Sequence, residues 1–365
     1  MEVKSLLSMG AGLCSRWHSC QISQPLPKNK NSGNRWTAYR YQPFTKKQWR
    51  SHQDKSIDKM RKSKGYQNWF TSRFEATTFT NEMKWYSTEK IQGQENYTVS
   101  DAMVKFAKQN GISIRGHNIL WDDPKYQPDW VKSLSSEDLR KAAEKRINSV
   151  VSRYRGQLIA WDVVNENLHF SFFEDMLGEN ASAKAFSMAY QLDPTTVMFM
   201  NEYNTIEHCE DETASAINYI KKLQQIQQYP GNDGILAAIV DVGKDPDQAQ
   251  YLEEVLREGY SHPAVQGIVM FAGPELAGFK DMPLADMDLK NTPAGDVVDK
   301  LLGEWKTGTL ETTADDRGFI DVSLFHGDYD VTVKHPVTNS STTLSFTVTK
   351  DIPKGFFNLQ VHMSD

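Results

Sequence analysis

Glu166 stands at the end of GQLIAWDVVNENLH (156–169), in which six of the seven residues from Leu158 to Val164 are apolar before the chain breaks into the polar pair Asn165 and Glu166. A nearly continuous apolar run without alternation suits a parallel strand covered on both faces, and the parallel strands of barrels carry reactive groups at their C-terminal ends. A carboxylate in that place can exchange a proton with a substrate; it can equally cap the next helix or meet a lysine. Three other stretches end in the same manner. ATTFT (76–80) runs into Asn81, Lys84 and Trp85; ISIRG (112–116) runs into His117, Asn118 and Trp121; TTVMFM (195–200) runs into Asn201, Glu202, Tyr203 and Asn204. Trp and Tyr offer flat apolar faces to the axial hydrogens of a pyranose, Asn, Lys and His direct hydrogen bonds to hydroxyls, and a carboxylic acid protonates a glycosidic oxygen. Taken singly, a Trp is more often core and a His a satisfied structural group. Their shared place at strand ends makes the set read as a saccharide site.

Such a ring of residues needs strands separated by helices, and the chain supplies that rhythm. A helix follows Ser100 or Asp101 with Met103, Val104, Phe106 and Ala107 on one face, and Ser135 with Asp138 opens another whose Leu139, Ala143, Ile147, Val150 and Tyr154 repeat at helical spacing. A third helix covers Ala214 to Gln227. ILAAIVDV (235–242) and GIVMFAG (267–273) complete the strands, with helices around 247–258 and 295–306. The alternation predicts an α/β protein with a parallel sheet, of the (β/α)8 TIM-barrel type. About six of the eight strands can be counted, so the barrel is expected to be incomplete. Beyond Gly308 the pattern changes: Phe319–Leu324, Tyr329–Val333 and Thr343–Val348 are short β-rich runs between turn residues, which predicts a small antiparallel appendage over 309–365. Residues 21–43 are rich in Pro, Asn, Lys and Ser, so 1–43 reads as a basic leader or linker and 44–308 as the barrel.

Composition narrows the classes. With 365 residues and 39% hydrophobic content, the chain can bury one large core, or a core with a satellite. No window approaches the ~20 consecutive apolar residues of a membrane span, and the first 20 residues make no convincing signal peptide. Cys14, Cys20 and Cys209 are odd in number and lack metal-ligand spacing, so neither a disulfide framework nor a zinc site is indicated, and no cofactor or metal is expected. Three sequons, at Asn96, Asn180 and Asn339, lean weakly toward a secretory history. Residues 1–64 carry 14 Lys/Arg against 3 Asp/Glu, a balance of +11; the chain as a whole is −6, which leaves −17 for the rest. A basic arm can hold nucleic acid or an acidic polysaccharide, but no base-stacking aromatics are interleaved with it, so a leader is the plainer reading and no nucleic-acid partner is expected.

NEMKW, RGHNILWDDP, WDVVNENLHF, MNEYN and QAQYLEEVLREGYSHPAVQGIVMF, in that order, resemble the family 10 glycoside hydrolases, in particular plant endo-1,4-β-xylanases, from about Thr45 to the C-terminus. The resemblance implies a (β/α)8 barrel, an extracellular or cell-wall setting, and xylan as the partner, hydrolysed with retention of configuration by two carboxylates. It puts Glu166 on the acid/base position and Asn165 on the group that holds a sugar hydroxyl in the cleavage subsite. Asn81, Lys84, His117, Trp121 and Tyr203 line the glycone subsites or support the catalytic pair by the same resemblance, and Trp85 is counted with them as a substrate contact. The basic leader reads as a remnant of the region where members carry carbohydrate-binding modules. Three departures stand out. Thr80 occupies a place usually held by Glu, and Lys64 joins Gly65 where a first barrel strand is expected. GILAAIVDVG begins as one family strand and finishes as a later one, so that Ile239 stands where the nucleophile should be. Ile cannot attack an anomeric carbon, and Asp241, two residues on, is displaced by ~6–7 Å along the strand; a retaining pair needs carboxyls ~5–5.5 Å apart. Two readings follow: a xylanase-type enzyme, or a noncatalytic xylan-binding or vestigial member of that family.

Overall fold

The structure is a computed structural model that describes residues 37–42, 63–205, 210–228, 235–238, 247–261, 267–270, 272–279, 283–305, 310–313, 315, 322, 327–334 and 341–348. In chain order its first elements are β1 (Thr37–Gln42), α1 (Lys64–Thr71), β2 (Ala76–Phe79), α2 (Trp85–Thr88), α3 (Thr98–Gln109), β3 (Ser113–Trp121), α4 (Ser136–Tyr154) and β4 (Ala160–Asn165). Then come α5 (Phe172–Leu177), α6 (Ala181–Leu192), β5 (Val197–Glu202), α7 (Ala216–Gln227), β6 (Ile235–Ala238), α8 (Gln248–Ser261) and β7 (Gly267–Met270). The remainder is β8 (Gly273–Pro274), β9 (Pro283–Ala285), α9 (Pro293–Trp305), β10 (Gly327–Lys334) and β11 (Ser341–Val348).

Seven strands form one sheet in the order β6-β5-β4-β3-β2-β1-β7, and every neighbouring pair is parallel. All residues of β2 and of β4 are buried, as expected of parallel strands with both faces covered. The helices carry their own start signals. Ser135 caps α4 by accepting the Asp138 amide at 3.2 Å, Glu137 and Asp138 sit in its first turn against the helix dipole, and Leu139, Ala143, Ile147, Val150 and Tyr154 form its buried face.

Two expectations are corrected here. Among the described residues the parallel sheet has seven strands, because β1 lies between β2 and β7, with Tyr39 opposite both Ala76 and Val269. This strand falls inside the 1–43 segment read as a leader, so the sheet begins before residue 44. Its TAYRYQ does alternate, but the Pro-, Asn- and Lys-rich chain ahead of it hid so short a strand. Second, β3 continues to Trp121, well past Gly116, because His117 to Leu120 remain buried and the pairing with β4 resumes after a shift of register. His117 and Trp121 are therefore strand residues. The ring is open: among the described residues β6 pairs only with β5 and β7 only with β1. β10 and β11 form an antiparallel hairpin that contains the expected runs 329–333 and 343–348. Phe319–Leu324, apart from Val322, lies outside the described residues, as do Ile239 and Asp241.

The centre of the sheet is closed by one aromatic side chain. Trp161 on β4 is fully buried, and a Cβ placed on Gly116 would lie 2.2 Å from its ring, so the strand that delivers His117 approaches β4 only because residue 116 is glycine. On the helical side, Arg146 of α4 is 1% exposed and donates to the carbonyl oxygens of Met83, Asn118 and Ile119 and to the hydroxyls of Thr88 and Tyr97. It satisfies backbone groups at two strand ends that the sheet cannot reach. Gly116→Ala should lower unfolding stability by about 1–3 kcal/mol through overpacking against Trp161. Denaturant unfolding checks this, and a change near zero would show that Trp161 can move aside.

Candidate active site

A chain of buried polar groups crosses three adjacent strands. Asp162, in the middle of β4 and 1% exposed, accepts from Arg115 Nε at 3.0 Å through one oxygen and faces His117 Nδ1 at 2.7 Å through the other. Arg115 donates onward to Asn201 Oδ1 on β5 at 2.8 Å, and Asn201 Nδ2 donates to Asn165 Oδ1 at 2.7 Å. Burial works against the Asp162 carboxylate, yet Arg115 and His117 hold its pKa below the usual value. His117 is pushed down to about 4 by burial and by the Lys84 charge, against the pull of Asp162, so its imidazole is neutral at pH 7.

Glu166 follows β4 with φ of 58°, in the left-handed region that costs a non-glycine residue roughly 1–2 kcal/mol. Two backbone bonds hold it there: its N–H donates to Asn201 O at 2.9 Å, and Phe170 N donates to its carbonyl at 3.1 Å. This turn aims the carboxylate at β3, where Trp121 Nε1 donates to Oε2 at 2.8 Å. Burial raises the Glu166 pKa, against the Trp121 hydrogen bond and the Lys84 charge, and the nearby Glu202 charge raises it further. The Lys84 ammonium sits 4.0 Å from the centre of the Trp121 ring, and Tyr126 stacks on that ring at 4.0 Å and 12°. Both cannot share one face at those distances, so Trp121 meets the site through its N–H edge and not as an open platform.

The neighbouring strand end makes a third group. Glu202 is fully buried and accepts from Leu168 N at 2.8 Å, Tyr203 N at 3.0 Å and His169 Nδ1 at 2.7 Å. His169 reaches Asp211 with its other nitrogen at 2.8 Å and stacks on Tyr203 at 3.9 Å. Burial would lower the His169 pKa, but its two carboxylate partners push it up to about 9, while the His169 and Asn204 hydrogen bonds hold Asp211 well below the usual range. Burial and the Glu166 and Glu202 charges raise Tyr203 to about 12, so its hydroxyl keeps its proton.

Of the residues singled out in the sequence, Lys84, Trp121, His117, Asn165, Glu166 and Tyr203 are joined by these contacts and fields. Asn81 lies beside Lys84, where its Oδ1 accepts from Tyr86 at 2.6 Å and its carbonyl from Lys84 N at 3.0 Å. Trp85 is corrected: it is 4% exposed, packs edge-on to Trp130 and donates to Glu89 at 2.9 Å, because the chain turns into α2 at that point and carries the indole into the core. Asp162, Arg115, Tyr126 and His169 were missed. The signal for the first was available, since a lone Asp inside an otherwise apolar buried strand requires a charged partner. Among the described residues no cluster of His, Cys, Asp and Glu could hold a metal ion.

The family model described as Glycosyl hydrolase family 10 matches residues 46–235, more than half of the chain. The chain belongs to glycosyl hydrolase family 10. The match ends where β6 begins, close to the point at which the sequence departs from the family strands. An Arabidopsis thaliana relative named Endo-1,4-beta-xylanase 5-like is 42% identical over 89% of this chain and 72% of its own length. That alignment spans 409 positions, more than the 365 residues here, so the relative carries segments that this chain lacks. Among solved structures, the Penicillium canescens endo-1,4-beta-xylanase XylE covers 75% of this chain and 95% of its own, at 18% identity and a TM-score of 0.58. A Thermotoga petrophila xylanase 10B in complex with xylobiose covers 78% and 99%, at 19% identity and a TM-score of 0.55. At those identities the two structures show the family 10 barrel fold alone.

The raised pKa of His169 has a sign that can be tested. A histidine near 6.5 when unfolded and near 9 when folded gives stability that is complete below about pH 6.5 and is lost as pH rises toward 9. Melting temperatures of the wild type and of His169→Gln should therefore differ most at acidic pH and converge above about pH 9. A difference that stays constant across that range would show that His169 is neutral in the fold.

Proposed function

We propose that this chain is an endo-1,4-β-xylanase-type glycoside hydrolase whose saccharide site lies at the Glu166 strand end, with Glu166 as the acid/base group. The observation that carries the reading is the state of Glu166. Burial raises the pKa of this half-buried carboxyl, the direction that suits a group giving a proton to a glycosidic oxygen, and the Trp121 N–H and the Lys84 charge stabilise the carboxylate that remains. Asn165 sits beside it on the same strand end, while Asn81, Lys84, His117 and Tyr203 offer hydrogen bonds to sugar hydroxyls. A neutral His117 can donate or accept without bringing charge. Family membership and the names of the relatives support xylan as the polymer, and the same relatives support an extracellular or cell-wall setting. No helix among the described residues is long and apolar enough to cross a membrane. Neither nucleic acid, nor a membrane, nor a cofactor has a part in this reading.

A second reading, a noncatalytic xylan-binding or vestigial member, is favoured by the edges of β6 and β7 that find no partner among the described residues and by Ile239 at the sequence position of the nucleophile. Glu202 does not fill the gap, since Leu168, Tyr203 and His169 already engage its two oxygens. We therefore expect turnover of purified xylan to be very low, since loss of a nucleophile in well-studied hydrolases costs ~10⁶ in kcat. Xylohexaose should still bind, and Asn165→Ala should weaken it about tenfold by removing one buried hydrogen-bonding group. Reducing-sugar release and calorimetric titration read the two quantities. Robust turnover abolished by Glu166→Ala would show that another carboxylate serves as nucleophile; absence of xylohexaose binding would overturn the xylan reading itself.

A further inference from the structure

Asp122 follows Trp121 at the end of β3 and takes no part in the site described above, yet it is fully buried. Its backbone and side chain fasten three segments together. Its N–H donates to Asn165 O at 3.0 Å at the end of β4, its carbonyl accepts from Phe172 N at 3.3 Å, and its Oδ1 accepts from Phe173 N at 2.8 Å at the start of α5. These segments flank the acid/base candidate: Asn165 precedes Glu166, and Trp121, which donates to Glu166, precedes Asp122. A shift of the clamp therefore moves the Trp121 N–H relative to the carboxyl it serves.

The carboxyl has the partners of an acid and not those of an anion. Its second oxygen, Oδ2, is enclosed and meets no hydrogen-bond donor among the described residues, and an ionised carboxylate buried with a bare oxygen bears the full cost of its lost solvation. Asp162, equally enclosed on the neighbouring strand, has Arg115 and His117 on its two oxygens, and they hold its pKa down. Asp122 has a backbone amide in their place. The surrounding charges add to the contrast. Glu174 and Asp175 of α5 oppose a negative charge there, while Lys222 of α7 favours one but is itself paired with Glu174 at 2.7 Å. Asp123, the next residue, turns to its own loop and accepts from Lys125 N at 2.8 Å. Burial above all, helped by the two acids, pushes the Asp122 pKa up to about 7 against the Phe173 amide and Lys222.

We propose that Asp122 is a positioning residue which, as the neutral acid, clamps the end of β3 to β4 and α5 and so holds the Trp121 N–H on Glu166. Its bearing on catalysis rests on the reading of Glu166 given above; the clamp itself does not. Ionisation puts a bare charge inside the clamp and loosens it. An unfolded aspartate titrates near ~3.9 and this one higher, so the stability it lends is complete below about pH 4 and is lost as pH rises through about 7. The test is an NMR titration of the full chain that follows the Asp122 carboxyl carbon, the Phe173 amide and the Trp121 indole N–H, in the wild type and in Glu166→Gln, which removes the titration of Glu166 itself. All three signals should move with one midpoint near pH 7 in both proteins, and in Asp122→Asn the Phe173 and Trp121 signals should lose that transition. No saccharide enters the titration, so failure of xylohexaose binding would sink the xylan reading and leave these signals as they are. An Asp122 carboxyl carbon already at its ionised position at pH 5, a Trp121 signal that stays still while Asp122 titrates, or a Trp121 transition near pH 7 that survives Asp122→Asn would each overturn the proposal.

Discussion

Asp162 is a carboxylate enclosed in the middle of a sheet, and the arrangement of the strand ends follows from its need for partners. Desolvating such a group costs several kcal/mol unless charge and hydrogen bonds are returned to it. Arg115 and His117 return them from one neighbouring strand, and Arg115 extends the bonding to Asn201 on the other. A slip of one residue between β3 and β4 would turn these side chains to the opposite face and strand the Asp162 charge. The register of three strands is thereby tied to one ionised group, and Asn165 and Glu166 take their positions from it. The glycine at 116 belongs to the same constraint, for only a backbone without Cβ lets β3 lie against Trp161.

The acid/base candidate is held by a different device. Glu166 adopts a left-handed backbone that its neighbours over-determine through Asn201 and Phe170, and its carboxylate is then fixed from across the sheet by Trp121. Lys84 links the two systems, as its charge both depresses His117 and lowers Glu166. One cation thus adds to the burial that keeps the imidazole neutral, and restrains the carboxyl that burial drives upward.

Much of this was legible in the residues. A parallel α/β sheet, the strand ends at Asn81, Asn165 and Tyr203, and the open ring all followed from apolar runs that break into polar residues. Periodicity reports burial, however, and not pairing. It therefore stopped β3 at Gly116, because polar His117 and Asn118 resemble an exit from a strand until β4 is known to continue beside them. It passed over β1, a six-residue strand preceded by a composition that favours linkers. It also placed Trp85 with the sugar contacts, although the indole turns into the core at α2 while Lys84, one residue earlier, faces Trp121. Partners such as Asp211 for His169 come from distant loops, and no local spacing announces them.

The central claim is that burial and the Lys84 charge keep His117 neutral against the pull of a buried, ionised Asp162. The most direct measurement is an NMR titration of the His117 imidazole in the folded chain. The account predicts a ring that stays neutral as pH falls from 8 and protonates only near pH 4. Protonation at or above the ordinary value of about 6.5 would contradict it.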